Sequence, residues 1–197
     1  MADKYPEIFV LRHGETEWNR VGRHQGRMDS PLTDLGQMQA ATQGEILRAQ
    51  KVVERGFQVF SSPQGRARQT ADIACGVLGC GHAPDARLCE IAFGEWESLT
   101  YDEIAKGWPE HTKNADIDIF DWHFNAPGGE SYEVVRARAE AFLDGLTGPS
   151  VVVTHGITSR VMRGVLMGHG WNGTAGLPDG QGCVYHLREG EHSRLGA

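Results

Sequence analysis

The chain predicts an α/β fold of three layers, a mainly parallel sheet with helices on both faces. Two observations point there. Short apolar runs alternate with segments of helical periodicity from one end to the other. Residues with chemical capacity follow those runs directly, at the carboxyl edge where parallel sheets place their ligands.

The first strand is residues 7–12, with Ile8, Phe9, Val10 and Leu11 as a continuous apolar run. Leu35, Met38, Thr42 and Ile46 then mark the apolar face of a helix, with Asp34 and Gln37 as its capping pair. Residues 57–61 read as a second strand, followed by a helix carrying Ala67, Ala71, Ala74 and Leu78 on one side. Residues 87–91 form a weaker third strand. After it the rhythm breaks: between Glu95 and Gly129 lie Trp96, Trp108, Phe120, Trp122 and Phe124, interrupted by a short helical stretch from Tyr101 to Trp108. An excursion of this kind, about 96–128, is expected to be a lid or binding loop, a satellite aromatic core, or both. Val135, Ala139, Phe142 and Leu146 define the next helix, and Val151 to Thr154 a fourth strand. Ile157, Val161 and Val165 share a face of the last clear helix, and residues 182–187 read as a late strand at the sheet edge. No linker divides the 197 residues, so they are expected to form a single domain.

Nineteen Lys and Arg against 26 Asp and Glu leave a net charge of −7 with no basic run, which speaks against nucleic-acid and anionic-membrane partners. A small cationic pocket can still sit within such a surface. The N-terminus carries no apolar signal region and no stretch reaches membrane-spanning length. Cys75, Cys80, Cys89 and Cys183 lack Cys-x-x-Cys spacing and are too scattered for a disulfide framework. A cytoplasmic location is expected. The sequence does not give the oligomeric state.

The chemistry concentrates at four junctions. The first strand runs into Arg12-His13-Gly14, a bidentate phosphate donor beside an imidazole that can attack phosphorus when neutral. The second runs into Ser61-Ser62-Pro63-Gln64-Gly65-Arg66, which puts an arginine in the first turn of a helix. The third leads to Glu90, and the fourth to His155-Gly156. Each residue alone could be a solvated or structural side chain. Their convergence on one edge is what carries the inference.

With those residues in view, the chain resembles the histidine phosphatase superfamily, whose founding members are the cofactor-dependent phosphoglycerate mutases. The resemblance rests on Leu11-Arg12-His13-Gly14-Glu15-Thr16-Glu17-Trp18-Asn19, Gln25-Gly26, Ser30-Pro31-Leu32-Thr33, Ser61-Ser62-Pro63 and Gly65-Arg66-Ala67. It continues through Gln69-Thr70, Glu90, residues 93–97, residues 127–131 and Val153-Thr154-His155-Gly156. It implies a phosphoglycerate mutase-like fold and a transient phosphohistidine on His13. Arg12, Arg66 and His155 would surround the phosphoryl group, with contacts from Asn19, Gln25, Gly26 and Gly156, and Glu90 would be the proton donor. A small phosphorylated substrate is implied, with no cofactor and no metal. Asp116, Asp118 and Asp121 read as a solvated acidic loop, and the remaining histidines lack metal-ligand spacing, although His24 falls near the pocket mouth.

Phosphoglycerate mutases are similar to one another in a longer, basic insertion for the substrate carboxylate. Here residues 96–128 contain only Lys106 and Lys113 as cations, so a hydrolase acting on phosphate monoesters is the better reading. A mutase and a non-catalytic phospholigand-binding module remain the alternatives. Ser98 stands where the family usually has glycine, and Gly156-Ile157-Thr158 where a Gly-Gly pair is commoner. Either is expected to reshape substrate access while leaving the phosphoryl site untouched.

Overall fold

The computed structural model describes residues 4–112 and 119–196. Six strands form one sheet: β1 (Ile8–Arg12), β2 (Gln58–Ser61), β3 (Ala83–Pro84), β4 (Ser150–Thr154), β5 (Val184–Arg188) and β6 (Glu191–Leu195), in spatial order β3-β2-β4-β1-β5-β6. The pairings of β3 with β2, β2 with β4 and β4 with β1 are parallel, while β5 and β6 add an antiparallel flank. The eight α-helices among the described residues are α1 (Glu17–Arg20), α2 (Asp34–Ala49), α3 (Gly65–Leu78), α4 (Tyr101–Gly107), α5 (Ile119–Trp122), α6 (Tyr132–Asp144), α7 (Gly156–Leu166) and α8 (Trp171–Ala175).

The three layers follow from the period of two along the central strands. Phe9 and Leu11 of β1, with Val151 and Val153 of β4, join Leu47 of α2 and Ala71 of α3 on one face. Ile8, Val10 and Val152 point the other way and join Val135, Ala139 and Phe142 of α6 and Val161 of α7. Because both faces are covered, β1 and β4 carry continuous apolar runs rather than alternating ones.

Four expectations need correction. The packed face of α2 is not Leu35 and Met38, which are 45% and 62% exposed, but Gly36, Ala40, Gln43, Gly44 and Leu47. Small residues are used because the backbones approach closely: a Cβ on Gly36 would meet Glu15 O at 2.0 Å, and one on Gly44 would meet Ala74 O at 3.0 Å. The cap of α2 is Thr33, whose side chain accepts from Gly36 N, so Asp34 lies inside the first turn and no Asp34–Gln37 cap forms. Residues 87–91 are not a strand. The third strand is the two-residue β3, and Ala86–Leu88 form a 3-10 turn capped by Asp85, which accepts from Arg87 N. The late strand β5 is not at the edge, because β6 pairs outside it.

The described residues of the excursion form short helices and 3-10 turns. Trp96, Phe120 and Trp122 are buried in the same apolar cluster as α6 and α7, so these aromatics belong to the main core rather than to a satellite. Of the acidic triplet, Asp116 and Asp118 lie outside the described residues.

Candidate functional site

At the carboxyl end of the sheet a cavity of about 360 Å³ opens. Arg12, His13, Asn19, Gln25, Gly26, Arg66, Glu90 and Gly156 all line it. His155 lies behind that lining, its ring 5.2 Å from the ring of His13 at an interplanar angle of 62°.

The sheet ladder delivers His13 to its place. Its backbone N donates to Thr154 O (3.0 Å), one step beyond the β1–β4 pairing. Gln43 of α2, fully buried, donates from Nε2 to both Arg12 O and Cys183 O (2.9 Å each) and so secures the end of β1. The chain then turns between α2 and α3. A Cβ on Gly14 would meet Gly36 O at 2.2 Å, so only glycine passes there. Gly14 N donates to Thr70 Oγ1 of α3.

Two contacts decide the tautomer of His13. Nδ1 lies 2.8 Å from Gly14 O, a contact with a carbonyl that requires a proton on Nδ1. Nε2 accepts from Arg66 Nε at 3.2 Å, so its lone pair is available. Burial, followed by the charges of Arg66 and Arg12, holds the His13 pKa well below the usual imidazole value. The ring is neutral at pH 7.

Arg66, in the first turn of α3, is buried and held on several sides. Nη1 donates to Met28 O (2.7 Å) and Asp29 Oδ1 (3.0 Å), and Nη2 donates to Gly26 O (3.0 Å). With the bond to His13, four of its five N–H groups are engaged, which leaves one on Nη2. Burial lowers its pKa, yet an arginine stays charged in this setting. Arg12 divides its guanidinium differently. Nη1 pairs with Asp179, whereas Nε is buried without a protein partner.

Glu90 sits at the start of α7. Oε1 accepts from Ile91 N and Thr158 N, each at 3.0 Å, and Oε2 accepts from Ile157 N at 3.2 Å. The Thr158 hydroxyl, whose one proton serves a single acceptor, lies 2.8 Å from Cys89 O and 3.0 Å from Oε1. The carboxylate therefore occupies the anion-favouring end of the helix. Its own backbone N donates to Gln64 Oε1 (2.7 Å), which ties this loop to the cap of α3. Residues 156–158, expected to bear only on substrate access, thus also contact Glu90, through Ile157 N and Thr158 N and with the Thr158 hydroxyl at 3.0 Å. His155, the residue before α7, places Nε2 2.8 Å from Ser62 Oγ and leaves Nδ1 buried without a protein partner. Burial and then Arg66 depress its pKa well below the ordinary value.

The predicted contact residues divide by role. Asn19 Oδ1 accepts from Thr16 N and from Gln181 Nε2, while Gln25 Nε2 reaches Thr16 Oγ1. Gly26 lines the cavity and also orients Arg66 through its carbonyl. Its φ of 52° and the 2.4 Å from a hypothetical Cβ to Glu97 Oε1 both require glycine.

Of the remaining wall the sequence announced His24 at the pocket mouth but not the rest. Phe93, Ile119 and Ile157 supply apolar surface, with His24 and His123 between them. His24 packs against Phe93 (5.4 Å), Trp122 (5.2 Å) and His123 (5.7 Å). Burial brings the His123 pKa to about 4 and lowers that of His24, so both rings are neutral at pH 7. Arg23 and Arg160 line the same wall, and Arg23 is committed to a bidentate pair with Glu103 (2.9 and 3.2 Å). Inspection of residues 96–128 alone could not find these cations, since α7 and the segment after α1 bring them in. Ser98, where the resemblance calls for glycine, adopts φ 67° and donates from its N to His24 O (2.8 Å). Asp29, Asp179 and Gln181 are further polar partners that no local motif announced, while Ser62 falls in the quoted Ser61-Ser62-Pro63 motif without a role having been read for it. Among the described residues no group of three or more His, Cys, Asp or Glu side chains could hold a metal ion.

Known proteins are similar to this chain in sequence and in fold. A protein of Salmonella choleraesuis named "Probable phosphoglycerate mutase GpmB" is 33% identical over 170 residues, covering 82% of this chain and 75% of its own length. The solved structure of Bacillus stearothermophilus YhfR superposes with a TM-score of 0.76 at 29% identity, covering 92% of this chain and 90% of that one. A mycobacterial glucosyl-3-phosphoglycerate phosphatase, solved with VO3, gives 0.76 at 27% identity with 92% of each chain covered. The family model of the histidine phosphatase superfamily, branch 1, matches residues 8–194. With two neutral imidazoles, a held guanidinium and a helix-capping carboxylate at one sheet edge, the chain belongs to that superfamily.

Proposed function

We propose that the protein hydrolyses phosphate monoesters through a phosphohistidine on His13. The observation that carries this reading is the state of that ring: neutral, protonated on Nδ1 by its contact with Gly14 O, and holding its Nε2 lone pair next to Arg66. Nε2 attacks phosphorus in line and the ester oxygen leaves. The transferring group spreads charge over its equatorial oxygens, which cationic and N–H donors stabilise. The remaining N–H of Arg66, the unpartnered Nε of Arg12 and the unpartnered Nδ1 of His155 are the donors with capacity left for those oxygens. Gln25 adds another in its alternative amide orientation. Thr16 Oγ1 already accepts from Asn19 N, so its own proton can go to the Gln25 oxygen and turn the amide donors outward.

Glu90 serves as the acid for the departing oxygen and then as the base for water. Oε1 is occupied by two backbone donors and Oε2 by one, so the proton passes through Oε2. The wall of Phe93, His24 and His123 receives the leaving group, which favours a partly apolar one. The reaction as drawn calls for no cofactor or metal. We read the chain as one domain acting on a small phosphorylated molecule in the cytoplasm. Four free cysteines support a reducing compartment, and no helix among the described residues is long and apolar enough to cross a membrane.

Rapid-quench labelling with a radioactive aryl phosphate tests the intermediate. Acid-labile label in the native protein, absent from His13→Ala, is expected, and label persisting in the variant would remove His13 from the role. A mutase is the second reading, supported by the name of the Salmonella relative and by Arg23 and Arg160 in the cavity wall. With 3-phosphoglycerate, release of phosphate ahead of any 2-phosphoglycerate is expected. Interconversion without phosphate release would make the mutase the function.

A further inference from the structure

A carboxylate inside a pocket read as phosphate-binding opposes the ligand, and the structure builds one in. Asp179 lines the cavity and pairs through Oδ2 with Arg12 Nη1. The loop that carries it is fixed at several points. Arg163, buried beneath it with its guanidinium 3.7 Å from the centre of the Tyr185 ring, donates from Nη2 to Pro178 O at 2.7 Å. Gly180 N donates to the other oxygen, Asp179 Oδ1, at 2.8 Å. Gln181 Nε2 donates to His13 O and Asn19 Oδ1, 3.1 Å each. The ion pair rests on the first residue of α7, since a Cβ on Gly156 would lie 3.3 Å from Asp179 Oδ2 and 3.4 Å from Arg12 Cζ. Side-chain exposures of 22% for Arg12 and 30% for Asp179 leave the pair only partly screened by water.

We propose that Asp179 is a positioning and specificity-determining residue: it aims Arg12 at the phosphoryl group and sets how much negative charge the pocket accepts. The inference rests on the reading of Arg12 as a phosphoryl ligand. One guanidinium edge is held by Asp179 while Nε remains for the substrate, so Arg12 arrives pre-oriented. The fixed negative charge beside it weakens the hold on the dianionic product and repels a second anionic group on the α7 side. The preferred substrates are therefore monophosphate esters of neutral leaving groups. A carboxylate or a second phosphate near α7 counts against a ligand.

Asp179→Asn keeps the shape but removes the charge, and its single amide oxygen can serve Gly180 N or Arg12 Nη1 but not both, so the hold on Arg12 is loosened as well. Titration calorimetry with inorganic phosphate is expected to show about tenfold tighter binding in this variant, the scale of one partly screened charge at contact range. Its kcat and KM should fall together on a neutral alkyl phosphate as product release slows. The preference for that ester over 3-phosphoglycerate should shrink. Gln181→Ala loosens the same loop without changing its charge and should bind phosphate no more tightly than the native protein. Unchanged or weaker phosphate binding in Asp179→Asn overturns the proposal, and so does equal tightening in Gln181→Ala. A native protein that neither binds phosphate nor forms the acid-labile intermediate defeats the underlying site reading as well. Native turnover with an unaltered Asp179→Asn defeats this inference alone.

Discussion

The two ends of the cavity are built on different principles. At the phosphoryl end of the proposed site His13, Arg66, Glu90 and His155 are almost completely buried. The first three are held largely by backbone groups, namely Gly14 O, Met28 O, Gly26 O and the N–H groups that open α7, and His155 meets the Ser62 hydroxyl. The leaving-group end is held by side chains packing on one another, with His24 against Phe93, Trp122 and His123, and Trp96 stacked on Trp122 at 4.5 Å. Backbone anchors come with the fold and change little when a side chain is substituted. Packed aromatics can be exchanged for others of similar volume. On the proposed function, the contrast puts the chemistry in the first region and, beside the charge limit set by Asp179, the fit of the leaving group in the second.

Substitutions can break this comparison, and the largest effect is expected at the proposed nucleophile. His13→Ala should abolish turnover of every ester, because the covalent route has no second nucleophile, and circular dichroism should show an intact fold. Turnover surviving within tenfold would place the chemistry elsewhere. Arg66→Ala is expected to lower kcat by about two to three orders of magnitude, and Arg66→Lys should not restore it, since an ammonium cannot occupy the fork between Met28 O, Asp29 and Gly26 O. Steady-state kinetics on one aryl phosphate checks both variants.

The proton donor should separate substrates rather than stop the reaction. Glu90→Gln is expected to slow alkyl phosphates by about a hundredfold and p-nitrophenyl phosphate far less, because the nitrophenolate leaves without a proton. Equal slowing of both esters would reduce Glu90 to a helix cap. In the other region, Trp96→Ala should destabilise the protein by about 3–5 kcal/mol in denaturant titration, as expected for truncating a fully buried aromatic. His24→Phe should instead leave kcat for p-nitrophenyl phosphate within severalfold and shift the KM values of larger esters. A collapse of kcat in His24→Phe would erase the distinction between the two ends.

The smallest effect concerns pH. His13, His24, His123 and His155 all have folded pKa values below the ordinary 6.5, so in acid the unfolded chain binds protons that the folded protein refuses. The stability from their neutral state is complete above about pH 6.5 and is lost as the pH falls below it. Each contributes a slope of up to about 1.4 kcal/mol per pH unit. For His123 the loss runs down to about pH 4. Denaturation midpoints for His123→Phe should therefore fall less steeply between pH 6.5 and 4 than those of the native protein, and parallel curves would show that His123 does not contribute. The low His13 pKa keeps the ring nucleophilic through the upper part of that window.

The amino-acid sequence by itself determined the strands β1, β2 and β4 and the helices after them, because continuous apolar runs and 3.6-residue periodicity are local signals. It also determined His13 and His155, since a side chain directly after a strand has little choice of edge, and Arg66, since the helix after β2 opens at that same edge. Local signals failed wherever a partner lay far along the chain. The packed face of α2 is written in Gly36, Ala40 and Gly44, and small residues read as a face only once the backbones they admit are in place. Glu90 does not follow a strand at all, and the start of α7, more than sixty residues later, holds it. Asp179 reaches Arg12 across 167 positions, and Arg23 and Arg160 enter a wall that the 96–128 segment does not supply alone. Hydrogen bonds and ion pairs are short-ranged in space but indifferent to separation along the chain, so tertiary structure decided the partners that local signals did not announce, Asp179, Gln181, Arg23 and Arg160 among them.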